Sequence, residues 1–227
     1  PGNPMRPRPL PRMPAALLAL LFALGAGAPA VAEQITVAPQ GVYAEIDTRL
    51  AIDTLRTLQT GSPAQITAAM DAIKAAPERY APPVFYVLSH VLFDRGDRDD
   101  AAFWFYAGQL RARFDANRCA DVSARQAVAV LNQTYGKPIN QYTFKNIPKL
   151  EALIPRVVDW DRKTPHRYDH RWINLHGMGA MISGTGSPKQ PPSLSLPADQ
   201  WAPIAEKTRA DYLEGFRQAM AQMKSRE

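Results

Sequence analysis

Apolar residues recur at intervals of three to five positions along almost the whole chain from residue 42 onward. In the first such stretch they stand at Val42, Ile46, Leu50, Leu55 and Leu58. This spacing places them on one face of an α-helix, whereas the alternation of apolar and polar residues that marks a half-buried strand is nearly absent. The pattern predicts an all-α fold, with a first helix over 42–58.

Capping residues, prolines and glycines divide this pattern into successive helices. Ser62 is the expected cap of a helix over 64–76, and another helix is expected over 83–94. One long helix is predicted over 198–223. It follows a stretch rich in proline, serine and glycine, 184–197, whose composition predicts an irregular loop.

Two further helices are predicted in the middle of the chain. Ser123 and Gln126 form a capping-box signature at the start of the first, and Gly-Lys-Pro at 136–138 is expected to end it. Asn146 is the expected cap of the second, which Pro155 should kink. The whole pattern predicts a bundle of helical hairpins with one helix at the C-terminal end.

Residues 84–114 resemble one helical hairpin of the tetratricopeptide or Sel1-like type. The large, small and turn-forming residues of that repeat fall at its spacing here: Phe85, Leu88, Ser89, Leu92, Gly96, Ala101, Phe105 and Gly108. The resemblance implies a helical fold that binds proteins or peptides, and it implies no catalytic residue. A generic helical hairpin needs the same packing, and one copy of a repeat cannot bury its own face, so both interpretations stay open.

Four aromatic residues follow one another at 103–106, and on a helix they point in all directions. A helix that is apolar on every side is usually buried, so this helix is predicted to lie at the centre of the protein. In the alternative, Trp104 or Tyr106 is exposed and anchors a partner, because aromatic side chains are favoured at interfaces.

The N-terminal sequence predicts an export signal. Three arginines precede an uncharged apolar run over 15–28, which is shorter than the ~20 residues of a membrane-spanning helix. Ala-Val-Ala at 30–32 fits a signal-peptidase site. We therefore expect residues 1–32 to be a cleaved signal peptide and residues 33–227 to form one periplasmic domain without stable membrane insertion. A retained helical anchor is the alternative.

The composition argues against a nucleic-acid partner and against an internal disulfide. The chain has 27 Lys and Arg against 21 Asp and Glu, and three of the arginines lie in 1–32, so the remainder carries a net charge of +3. This charge is too small and too dispersed to predict a nucleic-acid partner. The single cysteine, Cys119, can form no internal disulfide and is expected to be a small buried side chain.

Three of the four histidines lie within 166–176. With Thr164 as a cap, this segment is predicted to be helical, which would place His166 and His170 on one helix face. Two histidines four residues apart on a helix can bind zinc.

The residue that follows the first histidine opposes a zinc-protease site. Such a site requires a glutamate there as a general base, whereas this chain has Arg167, whose guanidinium cannot accept a proton. His176 lies about 240° round the helix from His170. The sequence therefore favours histidines that hydrogen-bond at a polar corner over a metal site.

These patterns predict a helical binding module that performs no chemistry and needs no cofactor. Its partner is expected to be another protein or peptide, in an immunity-type or envelope accessory role where a helical face occludes a partner's site. The residues expected to contact this partner are Trp104, Tyr106, Arg167, Arg171 and Trp172.

The alternative function is that of a metal-dependent hydrolase built on His166, His170 and His176. It requires the three imidazoles to lie within ~5 Å of a common point, because zinc–nitrogen distances are about 2 Å.

Overall fold

The computed structural model describes residues 38–185 and 193–225, so the predicted signal peptide lies outside the described residues. Within these ranges no strand forms, apart from an isolated bridge between Cys119 and Ser195, and the all-α prediction is confirmed. The α-helices are α1 Arg49–Thr60, α2 Pro63–Ala75, α3 Pro82–Asp94, α4 Arg98–Arg118, α5 Gln126–Thr143, α6 Ile147–Lys163, α7 Met178–Gly184 and α8 Trp201–Lys224.

Short 3-10 helices connect several of these elements. They span Gly41–Tyr43, Pro77–Arg79, Val122–Arg125, His170–His176 and Ala198–Gln200. No helix among the described residues combines the length and the apolar character that crossing a membrane requires.

Two predicted caps are present. The Ser62 side chain accepts a hydrogen bond from the backbone of Gln65, and the Gln65 side chain accepts one from the backbone of Ser62, which makes a capping box at the start of α2. Asn146 caps α6 by accepting a bond from the backbone of Lys149. These local signals fix where the two helices begin.

The predicted end of α5 at 136–138 is wrong, because α5 continues to Thr143. Gly136 lets α5 approach α4 closely, since a Cβ at this position would lie 3.1 Å from Cζ of Phe105. Ile139 is then buried on the next turn. Tertiary packing thus stabilises a helix that continues beyond Pro138.

The predicted Ser123 cap of α5 is also wrong. Asp121 instead caps the preceding 3-10 helix by accepting a bond from the backbone of Ser123. The Ser123 hydroxyl donates to the same carboxylate and accepts from the backbone of Met178. The serine therefore joins two elements that are distant in sequence.

Helix α4 is the centre of the fold and contacts α3, α5, α6 and α8. Trp104 and Tyr106 are only 6% and 1% exposed. The Trp104 ring packs against Phe85 and Trp160, and the Tyr106 ring against Phe216. The central-helix interpretation of the four aromatics is therefore correct. Trp104 and Tyr106 are core residues, so they are unavailable as partner anchors.

Helices α3 and α4 form a tight hairpin. Gly96 in the connecting turn has a φ of +94°, a conformation that glycine adopts at no steric cost. At Gly108 a Cβ would lie 3.1 Å from Cβ of Phe85, so the absence of a side chain permits the close approach of the two helices.

The segment before α1 departs from the predicted helix over 42–58, since α1 begins only at Arg49. Tyr43 and Ile46 instead belong to a second, smaller apolar cluster that includes Leu175 and Leu194. The segment is held there by a bond from the backbone of Asp47 to a distant aspartate, Asp169. It therefore lies against the histidine-containing segment.

The segment that precedes α8 matches the predicted loop only in part. The predicted irregular loop over 184–197 overlaps the end of α7, residues 186–192 lie outside the described residues, and 193–197 form no helix. The predicted C-terminal helix is present as the Ala198–Gln200 turn followed by α8.

Candidate functional site

The histidine segment is not the predicted helix. Helix α6 ends at Lys163, residues 164–169 are non-helical, and the next helix is the 3-10 turn that starts at His170. Thr164 is therefore not a helix N-cap, and its carbonyl accepts a bond of 2.7 Å from Nη2 of Arg111. His166 and His170 share no helix face.

Each of the three histidines has different neighbours. His166 Nε2 lies 3.1 Å from Oδ1 of Asp161, and His170 Nε2 lies 2.8 Å from Oγ of Ser195. The His176 ring packs edge-on against Trp172. In residues 38–185 and 193–225, no group of three or more His, Cys, Asp or Glu side chains is placed to hold a metal ion. The convergence that the hydrolase alternative requires is absent from this part of the chain.

A buried ionic cluster lies beneath the segment, centred on Asp161. This carboxylate accepts bonds from Nε of Arg111 at 3.0 Å and from Nε of Arg209 at 2.8 Å. Burial alone would raise the pKa of Asp161, but the hydrogen bond and charge of His166, together with the charges of both arginines, lower this pKa to about 2. The Arg111 guanidinium also lies 4.4 Å from the ring centroid of Trp160.

A second buried carboxylate, Asp115, fastens the segment to α4. Its Oδ2 accepts bonds from the Tyr168 hydroxyl at 3.0 Å and from Nε1 of Trp172 at 2.8 Å. Its Oδ1 accepts from the Arg118 guanidinium. Trp172 is only 4% exposed and anchors the segment internally, while its ring also borders a cleft, so its contact with a partner stays a prediction.

The sequence patterns did not predict the buried charged residues Arg111, Asp115 and Asp161. Arg111 and Asp115 lie four residues apart on α4, a helix whose buried residues are mostly apolar. Opposite charges within this aromatic-rich helix are the sequence signal that could have identified them, because buried charges need partners.

Cys119 is buried beside this region, as predicted, at 2% exposure. Its thiol donates to Oδ1 of Asn174 at 3.1 Å. Burial raises the pKa of the thiol to about 11, which keeps it protonated at neutral pH.

We expect stability to fall as the pH is lowered from 6.5 to 4. Burial lowers the pKa of His176 and that of His170 to about 4, so in this window the unfolded chain binds protons that the folded chain does not. His176 alone should contribute a slope of about 1.4 kcal/mol per pH unit. Urea unfolding at several pH values measures it.

The matched variant is His176→Gln, which cannot titrate. It should show a shallower loss of unfolding free energy over the same pH range. An identical pH slope in the variant and the unmodified protein would contradict the burial of a neutral imidazole at this position.

A cleft of about 220 Å³ opens beside Asp115. It lies between the start of α1, the turn at 79–81 and the segment over 167–172. Leu50, Ala51 and Ala81 line it together with the rings of Tyr168 and Trp172. The donor atoms of both rings are engaged with Asp115, so these rings and the three aliphatic side chains form an apolar part of a lining that otherwise consists of polar and charged residues.

The acidic residues that border the cleft are already paired. Asp47 accepts two side-chain bonds from Arg49, and Asp169 accepts two from Arg171. Arg171 also donates to the carbonyl of Glu45. Arg171, which was expected to contact a partner, is therefore engaged in holding the segment before α1.

Two arginines at the cleft have no such partner. Arg79 and Arg167 are exposed, and within the described residues neither guanidinium makes an ion pair or hydrogen bond. The backbone of Arg167 donates to the carbonyl of Glu78 at 2.7 Å, which brings the two arginines close together in the fold. Arg167 was predicted as a contact residue, whereas Arg79 was missed because the turn that presents it gave no sequence signal.

Comparisons with known proteins show a partial similarity to a curated protein. No protein-family model matches the chain, and no solved structure matches it. The chain is similar to an uncharacterized protein of Haemophilus influenzae, with 26% identity over 127 residues, which are 55% of this chain and 47% of the relative. The chain thus spans about half the length of that curated relative.

Proposed function

We propose that this protein is an exported helical binding module whose cleft at Arg79 and Arg167 contacts another protein. The observation that carries the proposal is the pair of exposed guanidinium groups without internal partners, in a cleft that also presents the apolar side chains of Leu50, Ala51 and Ala81. Exposed charges at a contact steer a partner of opposite charge and fix its orientation. The partner surface that meets the cleft is therefore acidic.

The dimensions of the cleft favour a protein partner over a small molecule. Sites for drug-sized ligands and cofactors usually enclose about 300–1,000 Å³. The cleft is about 220 Å³, which suits a single protruding side chain of a larger partner. A side chain seated in a pocket is a common anchor of protein interfaces.

The wider role rests on the fold and on the predicted export. The α3–α4 hairpin has a turn glycine at Gly96 and a close small-residue contact at Gly108, in keeping with a tetratricopeptide or Sel1-like hairpin. Together with the signal peptide predicted over 1–32, this supports a periplasmic immunity-type or envelope accessory protein that occludes a site on its partner.

Photo-crosslinking from the cleft tests the proposal. A benzophenone amino acid at Leu50, an exposed cleft residue, is expected to give one discrete adduct in cells that encode the chain. The double variant Arg79→Glu/Arg167→Glu should reduce the adduct at least tenfold, because it reverses both charges that meet the partner. The adduct is measured by immunoblotting and mass spectrometry.

Two controls make the test specific. Arg217→Glu changes an exposed arginine on α8, outside the cleft, and should leave the adduct unchanged. The same crosslinker at Val130, which is exposed on α5, should not give it. An adduct that is equally strong in the double variant would contradict binding at this cleft.

A further inference from the structure

We infer that the cleft takes the C-terminal residue of the partner, an apolar side chain together with a free α-carboxylate. This inference rests on the proposed function and names the chemistry of its ligand. Capture of a C-terminal carboxylate is a recurring mode of peptide recognition.

The charge around the cleft favours a ligand that carries a carboxylate. The two bordering aspartates are each neutralised by their own arginine, so Arg79 and Arg167 leave an excess of two positive charges. A guanidinium can donate two parallel hydrogen bonds to one carboxylate. Arg79 and Arg167 line the same cleft, and together they provide more donors than one carboxylate needs.

The apolar part of the cleft lining favours a ligand with an apolar side chain. Ala51 and Ala81 present only methyl groups, and Leu50 adds an aliphatic side chain that is 40% exposed. Trp172 donates its indole N–H to Asp115, so a ligand finds no free donor on that ring. An apolar group packed against these side chains would remove apolar surface from water, which favours binding.

The small volume favours a C-terminal residue over an internal aspartate or glutamate. A C-terminal residue carries its side chain and its carboxylate on one Cα, so both fit within a single cleft of about 220 Å³. In an extended chain, neighbouring side chains point to opposite sides. An internal acidic residue and an adjacent apolar residue would therefore not enter the cleft together.

The simplest probe with this chemistry is N-acetyl-leucine, which can be titrated into the ¹⁵N-labelled protein and followed by NMR. The backbone amides of Ala51 and Ala81 and the indole of Trp172 are expected to shift, with weak affinity because the ligand is small. N-acetyl-leucinamide, which lacks the charge, should bind at least tenfold more weakly. The α-amide of N-acetyl-aspartate, which represents an internal acidic side chain, should also bind at least tenfold more weakly.

Variants connect the probe to the two arginines. Arg79→Gln and Arg167→Gln should each weaken binding of N-acetyl-leucine about tenfold, the effect of losing a hydrogen bond to a charged group. Arg217→Gln should have no effect. Both arginines are exposed, so the variants are expected to fold, which their NMR spectra will verify.

Three outcomes would overturn the inference: no shifts with N-acetyl-leucine, equal shifts with the leucinamide, or tighter binding of the aspartate derivative. The crosslinking experiment reports separately on the proposed function. A cleft-dependent adduct without binding of N-acetyl-leucine would reject the ligand chemistry and leave the binding module standing. Loss of both results would reject the two proposals together.

Discussion

Replacing Asp161 with alanine should lower the free energy of unfolding by about 3–5 kcal/mol, the usual effect of removing one member of a buried ion pair. The carboxylate is 3% exposed and accepts bonds from Arg111 and Arg209. Without it, the buried Arg111 guanidinium has no carboxylate partner among the described residues, and Arg209 keeps only its ion pair with the exposed Glu206. Urea denaturation followed by far-UV circular dichroism measures the change.

Asp159 on the same helix provides the matched control. It is exposed and pairs with Lys163 one turn further on. Pairs of this kind contribute about 0.3–0.5 kcal/mol, so Asp159→Ala should be nearly neutral. A similar small effect for Asp161→Ala would mean that the buried cluster does not depend on its carboxylate.

The same two aspartates illustrate what could be predicted from the sequence. The helix that carries them, with its Asn146 cap and its buried stripe, was predicted because caps and apolar spacing are local properties. The partner of Asp159 is also local, since Lys163 lies four residues further on, whereas Asp161 is paired with Arg111, fifty positions away. Partners at such separations leave no local pattern.

The histidine segment shows why local signals can also mislead. Thr164 followed by proline is a common helix start. Here the carbonyl of Thr164 is bound by Arg111, and Tyr168 and Trp172 are bound by Asp115. These long-range bonds to α4 fix residues 164–169 in a non-helical path that leads into the 3-10 helix at 170–176. The cleft depends on this path, so neither its shape nor Arg79 could be predicted.

Tertiary packing likewise overrules the predicted end of α5. Glycine and proline are unfavourable within a helix, at about 1 and 3 kcal/mol relative to alanine. The glycine at 136 is nevertheless used for close contact with Phe105, and the turns that follow bury Ile139 and bond the Tyr106 hydroxyl through Asn140. These contacts are gained only in the assembled bundle.

Asp115→Ala is expected to destabilise the protein by about 3–5 kcal/mol and to weaken binding at the cleft. The substitution strands the buried Arg118 guanidinium, which accounts for most of the loss in stability. It also releases the Tyr168 hydroxyl and the Trp172 indole, whose rings line the cleft. Denaturant unfolding measures the first effect, and the Leu50 crosslinking yield measures the second.

The control substitution is Asp100→Ala, which removes an exposed partner of Lys74 at the start of the same helix. Its effect on stability should stay within about 1 kcal/mol, and the crosslinking yield should not change.

Trp172→Phe removes one donor to Asp115 and keeps an aromatic ring, so a smaller loss of about 1–3 kcal/mol is expected. If Asp115→Ala lowered stability but left the adduct from Leu50 intact, the cleft would form independently of the buried cluster. The adduct should be measured without denaturant, at a temperature where Asp115→Ala stays folded. Its loss under these conditions would mean that the core carboxylate positions the binding surface.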